Sequence, residues 1–122
     1  ICPYHKNCLE GFACGPSIEA RWGKKAADLK DAPLVWEIES YYIAQALTDY
    51  IMILSPQKII LGGGVMHQEQ LFPLIRSKVK EFIGGYLNTP ELNDLDNYIV
   101  PASLGGDQGI MGCIKLGLDA LC

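Results

Sequence analysis

Only two stretches of this chain read as strand, and both are short. Lys58-Ile59-Ile60-Leu61 is an apolar, β-branched run bounded by Pro56 and Gly62, and it reads as a buried strand. Asn97 to Pro101 is the second. Two strands make a marginal sheet without further partners. The chain is therefore expected to be half of something larger, or to complete its sheet with a second chain. This is an α/β order with an incomplete sheet and packed helices.

The helices follow from apolar spacing. Gly15-Pro16 opens a short one that Gly23 closes. A long helix begins near Val35, with Val35, Ile38, Tyr42, Ala46, Tyr50 and Ile53 as its expected buried stripe. Ser55-Pro56 ends it, because proline restricts the residue before it. A second amphipathic helix is expected from Gln68 to Tyr86, carrying Leu71, Leu74, Ile75, Val79, Phe82 and Ile83 inward and leaving Arg76 and Lys78 to water. Thr89-Pro90-Glu91 is set to cap a short turn. A last helix, Gln108 to Leu121, is expected to start from Asp107 as N-cap and to bury Ile110, Met111, Ile114, Leu118 and Leu121.

Composition limits the function classes. Of 122 residues, 49% are hydrophobic and 20% charged, which suits a packed core and not a disordered chain. The net charge of −4 argues against a nucleic-acid groove or an anionic membrane surface as partner. The apolar stretch Leu34 to Leu54 is broken by Glu37, Glu39, Gln45 and Asp49, so it reads as a core helix and not a membrane span. Five cysteines, with no signal sequence, predict a reducing, cytoplasmic setting. The absence of an initiator Met predicts a chain that begins within a longer protein.

Two motifs carry chemistry. Cys2-Pro3-Tyr4-His5-Lys6-Asn7-Cys8 places two thiols and an imidazole at three-residue intervals, a donor set for a tetrahedral zinc ion. The same residues could form a reduced loop without metal. A structural zinc takes four ligands, and the fourth is open between a residue before Ile1, another chain, Cys14 and water. Glu10 follows the last ligand by two residues, as a fixed acceptor for polyol hydroxyls or as a solvated loop carboxylate. The second motif is the turn Gly62-Gly63-Gly64-Val65 between strand and helix, where backbone amides can approach a nucleotide. A tight turn with no ligand explains it equally. His67 reads as a surface or capping residue, Glu39 as a rim carboxylate near a helix N-terminus, and Cys113 and Cys122 as inert thiols.

Taken together, Cys2-Pro3-Tyr4-His5, Cys8-Leu9-Glu10-Gly11, Gly15-Pro16-Ser17-Ile18 and Arg21-Trp22-Gly23 resemble the zinc-motif region of the ROK family of sugar kinases and repressors. The Pro-Tyr-His form resembles its bacterial fructokinase branch. Ile60 to Met66 and Pro101-Ala102-Ser103-Leu104-Gly105 are similar to later landmarks of that branch, in the same order. The resemblance implies an actin-like ATPase (ribonuclease H-like) fold, of which residues 1–122 would be part of the C-terminal domain. Residues 1–15 would be the zinc-motif loop and 16–122 the helical and αβ part. It implies ATP, Mg²⁺ and zinc as cofactors and a hexose substrate, fructose phosphorylated on its 6-hydroxyl. Cys2, His5 and Cys8 would be the metal ligands, with a further His before Ile1. Glu10 would bind sugar, and Pro16, Gly62, Gly63, Gly64, Val65 and Met66 the nucleotide. No catalytic residue falls in this chain, since the phosphate loop and the general-base aspartate would lie in the missing N-terminal part of the same protein. Lys6 departs from the family, which often has Gly there, and so does Cys14, where Ser is common. A homodimer is expected. The other readings are the sugar-sensing domain of a ROK-type repressor and a non-catalytic, zinc-stabilised dimerisation module.

Overall fold

The computed structural model describes residues 2–121. Its elements run α1 (Leu9–Phe12), α2 (Gly15–Trp22), a 3-10 turn (Ala26–Leu29), α3 (Pro33–Leu54), β1 (Ile59–Leu61), a 3-10 turn (Gly64–His67), α4 (Leu71–Ile83), α5 (Pro90–Asn93), α6 (Leu95–Tyr98), β2 (Ile99–Pro101) and α7 (Gln108–Asp119). The chain is mostly helical, with a small parallel sheet. β1 and β2 pair in register, Ile59 with Ile99, Ile60 with Val100 and Leu61 with Pro101. α4 lies in the crossover between them, as parallel strands require.

The interior is built by α3 on α4. Proline at the first turn starts α3, and Ser55, left-handed at φ 45°, ends it just before Pro56. α3 buries Val35, Trp36, Glu39, Ser40, Ile43, Ala44, Leu47 and Ile51. The expected stripe is therefore displaced around the helix. Val35 belongs to it, but Tyr50 and Ile53 are exposed. The helix is apolar on most of its circumference, so spacing alone does not say which side α4 covers. α4 supplies Leu71, Phe72, Ile75, Val79 and Ile83 to that side, and each large aliphatic buried there contributes about 1.5–3 kcal/mol. Gly84, at φ 57°, closes α4 three residues short of the expected Tyr86.

Arg76 does not face water. Its guanidinium donates to the Ile99 carbonyl oxygen at 2.7 and 3.0 Å and to Asp96 Oδ1 at 2.7 Å, strapping α4 to β2. Lys78 pairs with Glu37 at 2.6 Å. The expected second strand loses its first residues to α6, whose N-cap Asp94 accepts from the Asn97 amide. Thr89 caps α5 as its sequence position suggests, accepting from the Leu92 amide.

Two expectations about burial are corrected. β1 is covered on one face only, and Ile60 is 64% exposed. α7 forms where its spacing predicts, yet it buries nothing: Ile110, Met111, Ile114, Leu118 and Leu121 are all exposed. Asp107 takes the N-cap position without a capping hydrogen bond from its side chain. Amphipathic spacing makes a helix with an apolar face, but a partner must cover it, and none of the described residues does. Cys122 lies outside the described residues. Among the described residues no helix is long and apolar enough to cross a membrane.

Candidate functional site

The first centre is the N-terminal loop. Cys2 and Lys6 form an antiparallel bridge, with the Lys6 amide on the Cys2 carbonyl at 3.0 Å. That turn needs a left-handed residue, and Lys6 supplies it at φ 59°. A lysine there is strained, which is a physical reason for a glycine to suit the position better. The turn folds Cys2, His5 and Cys8 together, with their ligand atoms all within 4.8 Å of one another. Cys2 Sγ and His5 Nδ1 are 3.7 Å apart. Zinc with Zn–S and Zn–N bonds of ordinary length spaces such atoms by about 3.5–3.8 Å, so the donor set and its convergence fit that ion. The His5 and Tyr4 backbone amides and the Cys8 side chain hold the Cys2 thiol below its usual pKa, toward the thiolate a metal binds.

Cys14 does not join the cluster. Its Sγ lies 3.2 Å from Ser17 Oγ, where α2 begins. Among the described residues the cluster therefore offers three candidate ligands.

Cys8 is the N-cap of α1, a single helical turn that the loop reading of residues 1–15 missed. Gly11 explains how the loop sits on it. A Cβ at Gly11 would lie 2.3 Å from the Lys6 carbonyl oxygen and 3.2 Å from the Cys2 nitrogen. Only glycine lets the loop backbone close over α1.

The same turn carries Glu10 into the second centre, a cavity of about 700 Å³. It is lined by Leu9, Glu10, Ala13, Cys14, Gly15, Pro16, Ala26, Ile43, Ala46, Leu47, Tyr50 and Leu61 to Met66. Glu10, Pro16 and all five residues of the glycine turn thus face one space, although more than 50 positions separate the two ends of the chain that build it. The volume suits a small ligand, and the walls are largely apolar with Glu10 as the charged group among the lining residues. Such a lining can hold a flat ring against aliphatic walls, while a carboxylate at its edge accepts from hydroxyls.

The glycines of the turn differ in kind. A Cβ on Gly62 would come 3.2 Å from Ala102, so that residue is set by packing against the chain leaving β2. Gly63 has φ 94°, a conformation that favours glycine. Gly64 has neither constraint, and a Cβ there would meet open space. His67 ends the turn, exposed and outside the cavity lining, as its surface reading predicts.

Glu39 is not a rim residue. It is fully buried and ion-paired with Arg21 across α2 and α3. Burial pushes its carboxyl up, and the Arg21 charge and hydrogen bond oppose that shift. Its helical position showed only that it lay beside the stripe. The approach of Arg21 from α2 was not visible in any local pattern.

Residues 1–120 match the ROK family. The chain is 58% identical over 121 residues to a Bacillus subtilis (strain 168) protein named "Putative fructokinase", with 98% of this chain and 40% of that protein covered. It is 48% identical to a fructokinase of Pediococcus pentosaceus, covering 98% of this chain and 41% of the relative. To a fructokinase of Streptococcus mutans serotype c (strain ATCC 700610 / UA159) it is 41% identical, covering 94% and 39%. The chain thus spans about two fifths of the length of these curated relatives. With the match running through nearly every described residue, and with the metal loop and glycine turn placed as above, the chain belongs to the ROK family.

Proposed function

We propose that the chain is the C-terminal portion of a fructokinase with an actin-like ATPase fold, transferring the γ-phosphoryl group of ATP to the 6-hydroxyl of fructose. The observation that carries this reading is the convergence of Glu10 and the Gly62–Met66 turn on one cavity beside the Cys2, His5 and Cys8 cluster. The named relatives support it.

In this reading Cys2, His5 and Cys8 hold zinc, which supplies a fixed tetrahedral anchor for the loop and no part of the chemistry. A further ligand comes from outside the span. Glu10, aimed by Cys8 and α1, accepts hydrogen bonds from sugar hydroxyls and so orients the acceptor. Pro16 and the glycine turn take the adenosine side of ATP. Phosphoryl transfer also needs Mg²⁺ and a base for the hydroxyl proton. Both belong to the part of the protein that this span does not include. The sugar oxygen then bonds to phosphorus as the bond to ADP breaks. The protein works as a cytoplasmic homodimer.

The test is Glu10→Gln in the full-length protein, followed by ADP release with fructose, mannose and glucose. Loss of charge-assisted bonds, each about 1.5–3 kcal/mol, should raise the sugar KM about tenfold or more. The ATP KM should change little. An unchanged sugar KM removes Glu10 from the site. Gly64→Ala is the matching variant for nucleotide. It fits the protein itself, so a raised ATP KM reports backbone approach by the ligand, and no change refutes that role.

A further inference from the structure

α1 is one turn long, and its hold on α3 has to come from somewhere other than its own hydrogen bonds. The hold is Arg21. Its Nη2 donates to the Phe12 carbonyl oxygen at 2.7 Å, at the C-terminal end of α1, and to Glu39 Oε1 on α3. The guanidinium also lies over the Phe12 ring, 5.3 Å from its centroid. Phe12 in turn stacks on Tyr42 of α3 with centroids 4.5 Å apart. One side chain of α2 therefore ties the end of α1 to α3, and α1 carries Glu10.

The node is poorly designed for stability alone. Glu39 is fully buried, and its Oε2 has no hydrogen-bond partner among the described residues. A buried ion pair with an unsatisfied oxygen is commonly no more stable than an apolar replacement of the same size. What it does supply is direction. A cation at a helix C-terminus, fixed from behind by a buried carboxylate, sets where that helix ends.

We propose that Arg21, backed by Glu39, is the positioning residue for Glu10: it fixes the axis of α1 and so the place of the Glu10 carboxylate in the cavity. This rests on the reading of Glu10 as the sugar acceptor. Arg21 acts through α1 and does not touch the ligand. The glycine turn follows β1, and Pro16 lies at the opposite end of α2 from Arg21, so nucleotide binding is expected to depend on Arg21 far less than sugar binding does.

The experiment is a double-mutant cycle in the zinc-loaded, full-length protein: Glu10→Gln, Arg21→Met and the two together, with KM for fructose and for ATP and zinc content measured for each. Arg21→Met should raise the fructose KM about as much as Glu10→Gln, roughly tenfold by the loss of charge-assisted bonds. It should move the ATP KM less than twofold and leave zinc content unchanged. The double variant should be no worse than either single one. Arg21→Lys, which keeps the charge but not the fork of donors, should restore part of the loss. If Arg21→Met does not fold, Glu39→Gln takes its place in the cycle, with a smaller rise and the same lack of additivity. A normal fructose KM in Arg21→Met, or in Glu39→Gln where Arg21→Met does not fold, beside a raised one in Glu10→Gln overturns the proposal. So do effects that multiply in the double variant, or an equal rise in the ATP KM. A normal fructose KM in Glu10→Gln itself instead removes the reading on which the proposal depends, and the proposal with it.

Discussion

α4 and the metal loop are both well-defined pieces of this chain, and they are held by opposite means. α4 is fixed by what it buries: five apolar side chains form its interior face, and its polar ties, Arg76 to the Ile99 carbonyl and Lys78 to Glu37, add to that packing. The loop from Cys2 to Cys8 buries only Cys2 and leaves Tyr4 and His5 exposed. Its shape comes from a left-handed Lys6, a backbone bridge and a glycine that admits close approach. A stripe of aliphatics tolerates many sequences of similar volume. A loop shaped by backbone and donor atoms tolerates few changes, yet it can be altered without melting the interior. The stability of the fold and the integrity of the site are therefore separable.

The strongest way to break that separation is Ile75→Ala. Ile75 is fully buried, and truncation of such a residue costs about 2–5 kcal/mol. Urea unfolding should show the whole loss with and without zinc. A loss that disappears when zinc is added would mean that the loop, and not the α3–α4 interior, holds the fold.

Gly11→Ala should come next. Its Cβ would collide with the Lys6 carbonyl, and overpacking of this kind costs about 1–3 kcal/mol. The damage should fall on the loop. Zinc affinity, read by competition with a chelator, should drop at least tenfold while the α3–α4 helical signal in circular dichroism persists. Normal zinc affinity would contradict the close packing seen here.

Lys6→Gly works in the other direction. Removing the side chain from a left-handed position should stabilise the zinc-loaded loop by about 1 kcal/mol. Weaker zinc binding in this variant would show that the lysine itself contributes to the centre.

The smallest effect belongs to α7. Ile114 is 51% exposed, so Ile114→Ala should change the unfolding free energy of the 122-residue chain by less than about 0.5 kcal/mol. A core-sized loss would mean that α7 is covered after all.

The sequence by itself determined the long helices and the two strand segments, because capping residues, prolines and apolar spacing act locally, while the single turns α1 and α6 carry too little pattern to be read. Pro33 and Ser55 bound α3, Gly84 stops α4, and Ile59 to Leu61 extend between Pro56 and the glycines. It also determined the candidate ligand set Cys2, His5 and Cys8, since a spacing of three residues in a tight loop lets those side chains converge. Only the tertiary structure decided which side of α3 is interior, because that helix is apolar on most sides and α4 makes the choice. It decided that Glu39 is buried, because Arg21 arrives from an element 18 residues away to pair with it. It decided that Glu10 and Gly62 to Met66 share a cavity, since residues of α1, α2, α3 and the end of β1 come together around it. And it left the stripe of α7 uncovered, because periodicity describes a face, while burial belongs to the pair of surfaces that meet.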